Sequence, residues 1–154
     1  MAALSDPATA IESEGGEDPR LISDRQWLWA YAPEWSAERD SRRRGWDRSG
    51  KWLIFFDADQ VGAAWDAIRR ATAAGDLGFR AKVSTAMESR FKFRDYVIAV
   101  YNEDADDAIA VRELREKLRA LGFGVEEKLF YKREVTTQAG IYHGSDERSS
   151  SLVL

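Results

Sequence analysis

Cysteine is absent from this chain, and histidine occurs once, as His143. The first absence excludes disulfides, thiolate zinc ligands and thiol nucleophiles. It is compatible with a cytoplasmic location. The second excludes a multi-histidine metal site and leaves a serine–histidine triad without support. No apolar run approaches the roughly 20 residues of a membrane span, so no membrane partner is expected. The first twenty residues have no basic start and no apolar centre, and they do not read as a secretory signal. No cofactor is expected.

What is present fits one domain. The length of 154 residues supports one core, and 44% of them are hydrophobic. Residues 1–20 are acidic, aperiodic and rich in small side chains, and they read as a disordered tail. Residues 21–145 form the predicted domain, and 146–154 a C-terminal tail. The net charge of −4 conceals a basic middle: residues 39–94 carry thirteen Lys/Arg against seven Asp/Glu. Such a stretch is either a solvated mixed surface or a patch that attracts phosphate.

Periodicity gives the elements. Trp27, Trp29 and Tyr31 alternate and predict an aromatic stripe on one strand face. A basic loop follows and ends at Gly50. "KWLIFF" predicts a largely buried strand. Asp57 or Asp59 then caps a helix whose apolar face is Val61, Ala64, Trp65 and Ile68. Gly75 fits the position just past its end. Two strands follow, "LGFRAKVSTA" and "DYVIAVYNED". A second helix starts near Asp106, with Val111, Leu114, Leu118 and Leu121 as its stripe, and Gly122 ends it. "VEEKLFYKRE" and "GIYH" predict the last strands. The final three residues either add a short edge strand or fray. This order predicts an α+β fold: a curved, mostly antiparallel sheet of about six strands, with two main helices on one face.

Several residues are candidates for chemistry. Lys51 and Lys82 each open a predicted strand. If they share a face, each disfavours the other's charge, and one becomes a usable base. Otherwise they are lysines snorkelling at strand ends. Arg90, Lys92 and Arg94 alternate with Phe91 and Phe93, an arrangement suited to phosphate contact or to a charged edge strand. Trp35 and Trp46 flank the arginine-rich loop, where rings stack on bases while cations hold phosphates, unless they fold back over the core. Trp46, Trp52 and Tyr101 complete the predicted ligand-binding set. Trp65 reads as core, and His143 as a surface residue or a distant acid.

The segments "GKWLIF", "VGAAWDAI", "AKVSTA", "YVIAVYNED", "VRELREKLRALGF" and "TTQAGIY", in this order, resemble the family of the basophilic leukaemia-expressed protein. That family resembles translation initiation factor 4E in fold, which implies a curved antiparallel sheet backed by helices. A nucleotide or RNA partner, held by tryptophans and basic residues, follows from that likeness as an analogy of fold. The stretch from Lys51 to Lys82 also resembles bacterial phosphothreonine lyases. By that resemblance Lys82 matches the base of a β-elimination, and Lys51 the lysine of a Lys-X-His motif. Arg90, Arg94, Lys132 and Arg133 are candidates for the lyases' arginine-rich region. Leu53 stands where the lyases have an acid histidine. The expectation is therefore a cationic pocket for a phosphorylated peptide or small phosphorylated ligand, with the elimination chemistry weakened or lost.

Overall fold

A computed structural model describes residues 17–33, 48–87, 96–134 and 152–154. Its strands are β1 (Trp27–Tyr31), β2 (Gly50–Phe56), β3 (Arg80–Ser84), β4 (Tyr96–Asn102), β5 (Phe130–Arg133) and β6 (Leu152–Val153). Helix α1 (Ala58–Ala73) follows β2, and α2 (Ala108–Ala120) follows β4. The six strands make one antiparallel sheet in the order β1-β3-β4-β2-β5-β6. The α+β class and the open sheet agree with the sequence. The final residues pair with β5 as an edge strand. The segment "GIYH" lies outside the described residues.

Local chemistry sets the helix ends. Asp57 is the N-cap of α1, and its backbone N–H donates to Gln60 Oε1 at 3.4 Å. Asp107 caps α2 by accepting from the Ala110 N–H at 3.1 Å. Gly75 and Gly122 follow the two helices with φ of 82° and 95°, a region that glycine enters without strain. Residues Pro19–Leu21, assigned by sequence to the boundary of the tail, form a 3-10 turn. Arg20 donates from there to the Ala58 carbonyl at 3.1 Å, which ties this turn to the start of α1.

Both helices lie on one sheet face. Alternation sends Leu28 and Ala30, Trp52 and Ile54, Ala81 and Val83, Ile98 and Val100, and Tyr131 towards them. Val61, Trp65 and Ile68 of α1, with Val111, Leu114 and Leu118 of α2, close the core from above. Leu121, expected in the α2 stripe, is instead the exposed C-cap. The helix ends one residue before it, at Ala120.

Trp52 and Trp65 are the largest fully buried side chains. Each removes enough apolar area from water to contribute roughly 3 kcal/mol. The Trp52 indole N–H donates to the Val111 carbonyl at 3.0 Å, and its ring meets Tyr131 edge-on at 5.0 Å. The predicted ligand role of Trp52 is thereby corrected. One step along a strand reverses the face, so Trp52 points into the core while Lys51 points away from it.

Candidate functional site

The sheet face opposite the helices carries a different set of residues. Across five strands the register aligns Tyr31, Arg80, Tyr101, Lys51 and Lys132 in one row. The next row on the same face is Trp29, Lys82, Ala99, Leu53 and Phe130. Trp27 lies one step further along β1. The aromatic stripe read from the sequence therefore sits on this face, beside the cations.

Lys51, Arg80 and Lys132 are only 4%, 5% and 4% exposed. Charges this far from water need compensation. Glu134, just beyond β5, gives part of it: Lys51 Nζ donates to its Oε1 at 2.5 Å. The Glu134 N–H bonds the Ser49 carbonyl at 3.0 Å, which extends the β2–β5 ladder and fixes the carboxylate over Lys51. Burial pushes the Glu134 carboxyl up, but Lys51, Lys82 and Arg80 outweigh it and hold it below its usual value. Lys132 is depressed by burial and by Lys51, with Glu134 opposing.

Tyr101 is the centre of the array. The Arg80 guanidinium carbon lies 4.0 Å from its ring centroid, Lys51 Nζ 5.6 Å and Lys82 Nζ 6.0 Å. Trp29 stacks on Tyr31 with centroids 6.1 Å apart, and its ring lies 6.2 Å from Tyr101. The close approach of β3 to β4 depends on Gly78. A Cβ there would strike the Tyr101 carbonyl oxygen, which receives the Phe79 N–H at 3.1 Å.

Lys82 is held by rings. Its Nζ lies 3.9 Å from the Trp27 centroid and 5.3 Å from that of Trp29. Burial, then Lys51, pushes its pKa down to about 8; Arg80 adds to this and Glu134 opposes it. Lys51 and Lys82 thus share a face, although β4 separates their strands. The linkage follows from the direction of the shift. Below about pH 8 the amine is charged in both folded and unfolded chains, and folding carries the burial penalty. From there to the ordinary value of 10.5 the unfolded chain binds more protons, so stability rises with pH. Lys82→Met is expected to be more stable than the wild type by about 1–2 kcal/mol near neutrality. Urea denaturation at a series of pH values should show this gap closing as pH approaches the ordinary lysine value. A constant gap would contradict the shift.

The structure thus brings together Lys51, Lys82 and Tyr101 of the predicted set. Trp35, Trp46, Arg90, Lys92, Arg94 and His143 lie outside the described residues. Arg133 points away from the cationic face and pairs with Asp106 at 2.6 Å. Arg80 and Glu134 had no predicted role, and Trp27 had only a strand face shared with Trp29. Arg80 was within reach of the sequence, because it stands two residues before Lys82 and shares its strand face. A separate cleft of about 530 Å³ lies between the end of β4 and α2. Glu103, Asp104, Asp107 and Glu113 line it against a single cation, Lys117, so its charge disfavours phosphate.

The family model described as basophilic leukemia-expressed protein Bles03 matches residues 27–140. The chain belongs to the Bles03 family. Among curated proteins none matches the sequence. This Bles03-family chain is similar in structure to Schistosome eIF4E complexed with m7GpppA and 4E-BP. The TM-score is 0.61 and the identity 18%, over 90% of this chain and 75% of that one. It is also similar to Ascaris suum eIF4E-3 with m7G cap, with a TM-score of 0.50 and 16% identity, over 83% and 67% of the two chains. At such identities the likeness shows the fold alone. The resemblance to phosphothreonine lyases finds no support in the family or in these structures. Among the described residues no helix of this Bles03-family chain is long and apolar enough to cross a membrane.

Proposed function

We propose that the sheet face opposite α1 and α2 binds a nucleotide or a short single-stranded RNA. Arg80, Lys51, Lys82 and Lys132 take the phosphates, and the half-buried Trp27 and Trp29 offer a stacking surface to a base. The observation that carries this reading is the row Tyr31–Arg80–Tyr101–Lys51–Lys132. It gathers cations and rings from five strands onto one surface. Among the described residues that form this cluster, four are cationic and Glu134 is the one carboxylate. Arginine engages phosphate through two N–H groups at once. Rings beside cations are the combination by which single-stranded nucleic acids are held. The similar structures contain m7GpppA and m7G cap, which supports a nucleotide over other phosphorylated ligands.

The alternative, elimination from phosphothreonine with Lys82 as base, needs an acid for the leaving phosphate. Leu53 stands in the row of Lys82 and cannot supply one. The test is quenching of tryptophan fluorescence by m7GTP, GTP, ATP and a phosphothreonine peptide at low salt. Nucleotides are expected to quench, with affinity falling steeply as salt rises. Arg80→Ala should weaken binding by at least about tenfold, the scale of a lost charge-assisted contact. Absence of quenching by every nucleotide, or tighter binding of the peptide, would reject the reading.

A further inference from the structure

Lys82 has surroundings that differ from those of Lys51, although both stand on one face. Lys51 has the Glu134 carboxylate at 2.5 Å. Among the described residues Lys82 has neither a carboxylate nor a hydrogen-bond acceptor at contact distance. Its ammonium meets the rings of Trp27, Trp29 and Tyr101. The charged groups acting on it are Arg80 on its own β3, Lys51 on β2 beyond β4, and Glu134 beyond β5, while the flanking strands β1 and β4 present rings. Two of these three are cations. The Lys82 side chain is half-buried rather than sealed in the core.

A lysine desolvated among rings and repelled by neighbouring cations is the kind of amine that enzymes use as a nucleophile. The same cations attract an anionic reagent. We propose that Lys82 is a modification site: a nucleophilic lysine that takes an acyl group from an acyl phosphate. The neutral amine attacks the carbonyl carbon. A C–N bond forms, the C–O bond to phosphate breaks, and phosphate leaves with the bonding pair. The amine proton passes to solvent. The product is an amide and inorganic phosphate, with no change of oxidation state. Acylation removes one positive charge and leaves an uncharged group between Trp27 and Trp29. It therefore lowers the affinity of this face for anions. The preference for an anionic donor rests on the anion-binding reading above; the nucleophilicity of the amine does not.

The depressed basicity of Lys82 gives the proposal a kinetic signature. The full chain is incubated with acetyl phosphate near neutral pH, and acetylation of each lysine is followed by peptide mass spectrometry. The exposed Lys117 and Lys128 serve as internal references. Lys82 should react at least about tenfold faster than either, because far more of it is unprotonated. That advantage should shrink as pH rises and the references lose their protons. A parallel arm uses acetic anhydride, which is uncharged and tests the amine alone. Lys82 leading with acetyl phosphate supports the proposal, whether or not it leads with the anhydride. Lys82 leading only with the anhydride overturns the acyl phosphate donor. Lys82 level with or behind the references in both arms overturns the nucleophile. Nucleotide binding is measured on the same preparation. If nucleotides fail to bind while Lys82 leads with acetyl phosphate, the nucleotide reading falls and this one stands.

Discussion

Replacing Arg115 with methionine is expected to cost the fold about 3–5 kcal/mol, the largest effect of any single change argued for this chain. Arg115 lies on α2 and is 0% exposed. Its Nη2 donates to the carbonyls of Gly124 at 2.6 Å and Glu127 at 2.8 Å, and its Nε to that of Leu154 at 3.0 Å. A longer contact reaches the Phe123 carbonyl at 3.5 Å. One guanidinium therefore ties the turn after α2 to the edge strand β6. Leu129 and Leu154 exchange backbone bonds at 2.6 and 3.0 Å alongside it. Methionine fills similar volume but leaves buried carbonyls without donors, and each such loss costs about 1–3 kcal/mol. Lysine is not a conservative substitute, because its three donors diverge from one nitrogen and cannot match the planar spread of the guanidinium. Urea denaturation of wild type, Arg115→Met and Arg115→Lys measures this. A loss below about 1 kcal/mol for methionine would mean that water replaces the guanidinium.

Glu134→Gln is the second large effect. The substitution keeps shape and removes the charge that offsets Lys51, Lys82, Arg80 and Lys132. Breaking a buried pair by neutralising one partner costs about 3–5 kcal/mol, and the open edge of this site places the expected loss near 3 kcal/mol. The pH dependence has a definite sign. Glu134 is held below its ordinary value of 4.5 in the fold. Its contribution is complete above that value and is lost as pH falls through the folded one. The variant should therefore show a shallower loss of stability in acid than the wild type. Inorganic triphosphate should raise the melting temperature of the variant more than that of the wild type, because bound anion replaces the missing carboxylate. Equal shifts in the two proteins would show that the anion does not enter this cluster.

Parts of this arrangement could be read from the chain because they are local. The period of three and four along Val61, Trp65 and Ile68 marks a helix face wherever the helix docks. Gly75 and Gly122 mark ends because their backbone conformation is local. The parity of Trp27, Trp29 and Tyr31 fixes a shared face once a strand is assumed. The assignment of Trp52 failed for a reason of the same kind. "KWLIFF" is apolar almost throughout, so alternation gives no sign of which residues face the helices. Lys51 alone marks the outer face, and its neighbour must then lie inside. The partners of Tyr101 were not readable. Its contact with Arg80, Lys51 and Lys82 depends on β4 lying between β2 and β3, a pairing set by distant segments. Arg115 resembles its neighbours Arg112 and Arg119 in every local respect. Only the carbonyls of the following turn and of β6 distinguish it, and no spacing rule encodes those.

The strand order has a consequence for how the chain folds. Of the neighbouring pairs among the described strands, only β3–β4 and β5–β6 are consecutive. Strand β4 must receive β3 on one edge and, on the other, β2 from across the whole of α1. Closing the longer loop costs more entropy before any contact rewards it. The β3–β4 pair is therefore the natural early template, and β2 adds to it later. Repulsion between Lys51 and Lys82 is felt only after both edges of β4 are filled. It falls on the native side of the barrier, so the site's accumulated charge hastens unfolding and leaves the rate of folding almost untouched.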